Sequence, residues 1–166
     1  MSEKSFLLII DTSGSMYGDE GEKLESLNLA ADALLRGLAS MYPEPAVAII
    51  TFGDPPEMKS FMPANLISPT TYTAKGRNTL TEALLLAASV ASKNVITILI
   101  SDGIFDDGDF LKIRRSIEGP VYAISIGPDA DPEQLVLFTG ESGDVVPAHQ
   151  AYDLPGYVIC NIKEGV

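Results

Sequence analysis

The sequence is poor in cysteine, poor in positive charge and free of long apolar segments. Its one cysteine, Cys160, cannot form an internal disulfide, so a reducing compartment is expected. Lysine and arginine number 11 against 23 aspartates and glutamates, which gives a net charge of −12. A field of that sign repels nucleic acid and anionic lipid and favours cations and basic partners. We therefore expect neither nucleic-acid binding nor membrane binding.

Signals for export and membrane insertion are also lacking. The sequence opens with the polar residues MSEKSF, which do not resemble a signal peptide. The longest apolar region, residues 83–100, is interrupted by polar residues that include Ser89 and Lys93. It is better explained by a helix followed by a strand than by a membrane span. These absences predict a cytoplasmic location.

Two common enzyme signatures are missing as well. There is no Gly-x-x-x-x-Gly-Lys-Ser/Thr phosphate-binding loop. The one histidine, His149, stands in a segment without a recognisable triad motif. The sequence thus favours a protein that is not an enzyme.

What is present is a regular alternation of apolar strands and amphipathic helices over 166 residues, which predicts a single domain spanning residues 1–166. The expected fold class is α/β: a three-layer, doubly wound, Rossmann-like and mostly parallel sheet, with one antiparallel edge strand and helices on both faces. The predicted strands are Phe6–Ile10, Ala46–Phe52, Glu57–Met62 (the edge), Val95–Ile100, Val121–Ile126 and Asp144–Pro147. The predicted helices are Lys23–Met41, Leu80–Ser92, Phe110–Ile117, one that starts at Pro132, and Leu154–Lys163.

The strands Phe6–Ile10 and Val95–Ile100 are the most apolar, so we place them side by side in the centre of the sheet. In such sheets, ligands bind beyond the carboxyl ends of the strands, at the point where the strand order reverses. The loops that follow these two strands are therefore expected to form one site.

Both of these loops carry oxygen donors. The first strand ends in Asp11-Thr12-Ser13-Gly14-Ser15, which presents one carboxylate and two hydroxyls at alternate positions. Asp102 follows the other strand in the same way. Two carboxylates in one cleft repel each other unless a cation lies between them. Carboxylate and hydroxyl oxygens suit a hard ion such as Mg2+ and do not suit zinc or copper.

This pattern resembles the metal ion-dependent adhesion site of the von Willebrand factor A (vWA) family. Asp11, Ser13 and Ser15 match its Asp-x-Ser-x-Ser signature, and ILISDG, which contains Asp102, matches its second signature. The resemblance implies that the two serines contact the metal and that the aspartates act directly or through water. It also implies an open coordination position for an Asp or Glu carboxylate of a protein partner. Compact bacterial members of the family often act as adaptors inside cells. The implied ion is Mg2+, with Mn2+ or Ca2+ as possible substitutes.

The family's third element is a threonine just before a helix, and here the match is shifted. Counted back from Ala83-Leu84, the family's threonine falls on Asn78, while Thr79 is one place later. Either residue offers an oxygen that Mg2+ accepts. Thr79 is preferred by residue type, and Asn78 stays the alternative. Lys75 and Arg77, beside these residues, either attract an acidic partner or are simply solvated.

Three other interpretations remain open. The first is a Mg2+-dependent phosphatase-like hydrolase, whose Asp-x-Asp-x-Thr motif would need a carboxylic acid where this chain has Ser13. The second is a structural subunit with a vestigial site. The third concerns the acidic loop Asp106-Asp107-Gly108-Asp109, which is either a second cation site or a solvated rim.

Overall fold

A computed structural model describes residues 5–42, 44–68, 70–105 and 110–158. Within these residues, six strands form one sheet in the order β3-β2-β1-β4-β5-β6. The strands are β1 (Ser5–Ile10), β2 (Ala46–Thr51), β3 (Glu57–Pro63), β4 (Val95–Ser101), β5 (Val121–Ser125) and β6 (Val145–Pro147). The helices with fully described bounds are α1 (Glu22–Met41), α2 (Leu80–Val90), α3 (Phe110–Arg114) and α4 (Pro132–Thr139). Residues 154–158 are helical too, and the rest of the helix predicted at 154–163 lies outside the described residues.

The sheet is parallel except at one edge. β1 pairs with β2 and β4, and β4, β5 and β6 continue in parallel. β3 pairs with β2 in the antiparallel sense, and all seven of its residues are exposed. The predicted fold class is therefore confirmed, including the weak edge strand.

Both faces of the sheet are covered, which explains why β1 is apolar at consecutive positions rather than at alternate ones. Phe6, Leu8 and Ile10 pack in the cluster that contains the buried side of α1. Leu7 and Ile9 pack on the opposite face, in the cluster that contains buried residues of α2, α3 and α4. The helices thus lie in two layers with the sheet between them.

The chain reverses its direction across the sheet between β1 and β4. Helix α1 leads from β1 to β2 on one side, whereas α2 leads back to β4 on the other side of β1. The two strands are in register, with Ile10 opposite Ile100. The predicted adjacency of these strands is confirmed, and their trailing loops start next to each other.

Other sequence-based expectations concern the periphery. None of the helices in the described ranges has the length and apolar character needed to cross a bilayer. His149 is exposed in the short 3-10 turn Ala148–Gln150. The possible second cation loop at residues 106–109 and the thiol of Cys160 lie outside the described residues.

Candidate metal centre

Asp11 is the first residue after β1, and its backbone is fixed between the central strands. Its N–H donates to the carbonyl of Ile100 at 2.9 Å, so it continues the pairing of β1 with β4. The side chain is fully buried. Its Oδ1 accepts from the backbone N–H and the hydroxyl of Ser13, at 3.0 and 2.6 Å. Its Oδ2 accepts from the hydroxyl of Ser101 at 2.7 Å.

The surroundings of Asp11 favour the protonated carboxyl. Burial raises its pKa from 3.8 to about 6, although the hydrogen bonds from Ser13 and Ser101 oppose that rise. The negative charge of Asp102 adds to the increase. The negative charge of the ionised Asp11 is therefore poorly neutralised, and a bound cation would stabilise it.

The two serines of the motif lie close together. After Ser13 the chain enters the 3-10 turn Gly14–Tyr17, which folds it back on itself. The hydroxyls of Ser13 and Ser15 are 3.3 Å apart. Ser13 is buried beside Asp11, whereas Ser15 is exposed. The two hydroxyls therefore lie between the buried carboxylate of Asp11 and the protein surface.

The loop before α2 is attached to this turn by backbone hydrogen bonds. Gly14 N–H donates to the carbonyl of Gly76 at 2.8 Å, and Lys75 N–H donates to the carbonyl of Thr12 at 2.8 Å. There is little room for a side chain at Gly14, because a Cβ there would lie 3.1 Å from the carbonyl oxygen of Gly76. The residues that precede α2 are thus brought beside Asp11-Thr12-Ser13.

Asn78 and Thr79 have different roles in this loop. The Asn78 side-chain oxygen accepts from the N–H of Leu80, the first residue of α2, at 3.0 Å. Thr79 is buried, and its hydroxyl donates to the carbonyl of Gly53 at 2.5 Å. A hydroxyl that donates in this way keeps its lone pairs for a cation. The Thr79 hydroxyl therefore keeps acceptor capacity that an ion could use.

Asp102 is buried just beyond β4 and has a cationic partner. Its Oδ1 accepts from the N–H of Ile104 at 2.9 Å, and its Oδ2 accepts from the ammonium of Lys23 at 3.1 Å. The same ammonium lies 2.8 Å from Oδ2 of Asp129, in the loop after β5. The lysine at the start of α1 thus joins the loops that follow two neighbouring strands.

These ion pairs keep the lysine charged. Burial lowers the pKa of Lys23, but its hydrogen bonds and charge interactions with Asp129 and Asp102 outweigh that effect and leave the pKa above its usual value. The hydrogen bond from Lys23 in turn holds the pKa of Asp129 below its usual range. Asp102 therefore has a resident counter-ion, whereas the hydrogen-bond donors found on Asp11 are all neutral.

Comparison with known proteins identifies the family. The family model for the von Willebrand factor type A domain matches residues 6–104. This stretch is more than half of the chain and contains every candidate ligand. The chain belongs to the von Willebrand factor type A family. No curated protein sequence matches it.

Solved structures of other proteins share the fold. An aerotolerance-related membrane protein from Bacteroides fragilis superposes with a TM-score of 0.70 at 16% identity, covering 97% of this chain and 99% of that chain. The pilus adhesin SpaC from Lactobacillus rhamnosus GG gives 0.69 at 12%, covering 98% and 31%. The SpRpn10 VWA domain gives 0.60 at 13%, covering 88% of each chain. Identities this low establish a shared fold.

The donor atoms of this vWA domain fit a hard divalent cation. Ser13, Ser15 and Thr79 supply neutral hydroxyl oxygens, and Asp11 supplies a carboxylate. Magnesium-type ions prefer oxygen ligands. In the described part of the chain, no group of three or more histidines, cysteines, aspartates or glutamates is placed to hold a metal. Hydroxyls would therefore have to make up much of any ligand set here.

Sequence reasoning missed Lys23 and Ser101. The sequence pattern predicts only that a helix begins at Lys23, although this residue precedes the buried Leu27 and Leu34 on the same face of α1. A lysine on the apolar face and in the first helical turn, where the helix dipole disfavours a cation, was the available signal. Ser101 is the last residue of β4, and only the pairing of β4 with β1 brings it to Asp11.

The raised pKa of Asp11 predicts a pH-dependent stability of the metal-free vWA domain. The unfolded chain releases this proton near pH 3.8 and the folded protein near pH 6. The contribution of Asp11 is therefore most favourable below pH 3.8 and is lost as pH rises through 6. Between pH 5 and pH 7 the free energy of unfolding should fall by roughly 1 kcal/mol.

Urea unfolding in EDTA at pH 5, 6 and 7 measures this loss. The Asp11→Asn variant is the control, because it has no proton to exchange at this position. The two proteins should differ in slope over this range. Parallel pH profiles would contradict a raised pKa at Asp11.

Proposed function

We propose that this vWA domain, acting as one unit over residues 1–166, is a metal-dependent protein-binding module. Ser13, Ser15 and Thr79 would hold Mg2+ or Mn2+ through their hydroxyls, and Asp11 and Asp102 would balance its charge. Asn78, whose side-chain oxygen already accepts from the first N–H of α2, is assigned no contact with the ion. The ion would supply a positive centre with an open position for an Asp or Glu carboxylate of a protein partner.

One observation carries the proposal. The Ser13 and Ser15 hydroxyls lie 3.3 Å apart beside a buried carboxylate that is poorly neutralised, at the point where the strand order reverses. Ser15 is exposed, so an ion held there is within reach of a partner. The family itself supports binding to other proteins, and SpaC is described as a pilus adhesin.

Binding is favoured over catalysis by the surroundings of Asp11. A phosphatase would need this carboxylate as a free nucleophile, but both of its oxygens accept hydrogen bonds. The general acid two residues later would have to be Ser13, which cannot serve as an acid near neutral pH. We therefore propose that the protein is not an enzyme. Its cytoplasmic location stays a prediction.

Calorimetry with Mg2+ and Mn2+ tests the metal site. Wild-type protein should bind either ion, and Ser15→Ala should weaken binding by about tenfold or more. Because Ser15 is exposed, that substitution should leave the stability of the metal-free protein nearly unchanged. Ser89→Ala is the matched control, since Ser89 is an exposed α2 serine, close to the end of the helix far from the site.

Partner binding is tested by the same variants. Complexes recovered from native extract should dissociate in EDTA and be lost in Ser15→Ala but not in Ser89→Ala. Wild-type protein that gives no heat and no thermal shift with either ion would contradict the proposal and favour a vestigial site.

A further inference from the structure

Lys23 is a buried cation placed directly at the candidate metal centre. Its side chain is only 7% exposed, and its ammonium lies 3.1 Å from Oδ2 of Asp102 and 2.8 Å from Oδ2 of Asp129. Asp102 is fully buried, while Asp129 is 54% exposed and therefore well solvated. The shorter of the two ion pairs is therefore screened by water, whereas the pair with Asp102, the carboxylate that the metal proposal requires, is buried.

The backbone is shaped around this side chain. A Cβ at Gly18 would lie 2.6 Å from Cβ of Lys23, and a Cβ at Gly127 would lie 3.0 Å from its Cε. Both glycines have positive φ angles, +67° and +87°. Two glycine turns therefore form a narrow slot that holds the lysine stem and directs the ammonium to Asp102. The Lys23 side chain is therefore held by close contacts at its Cβ and at its Cε, unlike a lysine that extends freely into solvent.

The lysine changes the charge of the site in every state. Asp11 and Asp102 together carry two negative charges when ionised, and Lys23 offsets one of them. A divalent ion would make the two buried carboxylates neutral as a set without the lysine. With the lysine, the buried groups carry one positive charge, because the carboxylate of Asp129, which offsets it, is 54% exposed and screened by water. Repulsion between Lys23 and the ion then weakens metal binding, and the surplus charge strengthens attraction for an incoming anion.

We infer that Lys23 is a built-in cation that lowers the affinity of this vWA domain for divalent metal and raises the affinity of the metal-loaded site for a carboxylate. The inference rests on the proposed metal-dependent function and adds the residue that sets its charge balance. Removing the lysine charge is expected to tighten metal binding by about tenfold, as a like charge several ångströms away in a partly buried site does.

The test compares Lys23→Met with wild type by Mn2+ calorimetry at low ionic strength. Methionine keeps an unbranched stem for the slot but carries no charge. Lys93→Met is the matched control, because Lys93 is exposed in the turn before β4, at the opposite end of the strand from the site. We expect Mn2+ to bind Lys23→Met about tenfold more tightly than wild type, with the control within about twofold.

Acetate then serves as the carboxylate probe. Titrated into the Mn2+-saturated proteins and followed by water-proton relaxation, it should bind Lys23→Met several-fold more weakly than wild type. If Lys23 only attaches α1 to the two loops, replacing it with methionine should not raise the affinity for Mn2+. Lys23→Gln removes the charge and keeps a donor for Asp102, so it gives the same comparison if methionine prevents folding.

The outcomes separate this inference from the proposed function. Mn2+ affinity that is unchanged or weaker in Lys23→Met, or acetate affinity that is unchanged, overturns the inference alone when wild type binds Mn2+. Binding by Lys23→Met but not by wild type contradicts the proposed function, and it also overturns the inference because the wild-type protein then has no metal-loaded site. Absence of Mn2+ binding in all the proteins overturns both.

Discussion

Replacing Asp11 with asparagine should stabilise the metal-free protein at pH 7.5 and abolish its binding of divalent ions. Holding this buried carboxyl ionised costs about 1.4 kcal/mol for each unit by which its pKa is raised, and the pKa rises from 3.8 to about 6. Asparagine avoids that cost but forms weaker hydrogen bonds with Ser13 and Ser101. We expect a net gain of roughly 2 kcal/mol in the free energy of unfolding.

Urea unfolding in EDTA measures the gain, and Mn2+ calorimetry on the same samples measures the loss of binding. Asp32→Asn is a suitable control, because Asp32 is exposed and forms an ordinary surface pair with Arg36 at 3.0 Å. That control should change stability by less than about 1 kcal/mol. An Asp11→Asn protein that is less stable than wild type would show that the carboxylate is adequately neutralised without metal.

Replacing Asp102 with asparagine should have the opposite effect on stability. Asp102 and Lys23 form a buried ion pair at 3.1 Å, so the substitution leaves a buried ammonium with only the half-exposed Asp129 as a charged partner. Removing one member of a buried pair typically costs about 3–5 kcal/mol. Because Asp129 retains part of the interaction, we expect a loss of about 2–3 kcal/mol together with weaker metal binding.

Two further variants isolate the cause of this loss. Asp129→Asn removes a solvated partner and should cost less than about 1 kcal/mol. Lys23→Met combined with Asp102→Asn removes the stranded cation and should recover most of the stability. If the double variant is no more stable than Asp102→Asn alone, the loss does not come from the lysine.

The two aspartates therefore differ in a way that their sequence positions conceal. Each follows a buried strand, and each would be assigned to the same cation by its motif. In the folded protein, Asp102 has a lysine as its counter-ion, whereas Asp11 has hydroxyl and amide donors. Opposite effects on stability from the same chemical substitution are the clearest sign of this difference.

The central part of the fold was predictable because β1 and β4 are apolar on both faces. Such strands can lie only inside a sheet that is covered on both sides, and this placed the loops carrying Asp11 and Asp102 side by side. The partial alternation of polar and apolar residues in Glu57–Met62 predicts the edge position of β3. The helix starting at Pro132 was predicted from Asp131, which accepts from the N–H of Gln134 at 3.2 Å as its cap.

Details of the site that depend on tertiary contacts were not predictable. The choice between Asn78 and Thr79 depends on which side chain accepts from the first N–H of α2 and which donates to the carbonyl of Gly53. Asparagine and threonine can each form either hydrogen bond, so the residue type alone does not decide. Lys23 lies 79 positions before Asp102 in the sequence, and the slot that holds its stem is formed by Gly18 and Gly127, which come from different parts of the chain. Arg77 forms long ion pairs with Asp54 and Glu82, at 3.8 and 3.6 Å, so part of its charge is neutralised within the chain.

The most direct test is a crystal structure of the wild-type protein grown with saturating Mn2+, with data collected at the manganese absorption edge. An anomalous peak about 2.0–2.2 Å from the hydroxyl oxygens of Ser13 and Ser15, next to Asp11, is the predicted result. A well-ordered site in which those hydroxyls keep only their protein partners, with no anomalous peak beside them, would contradict the account.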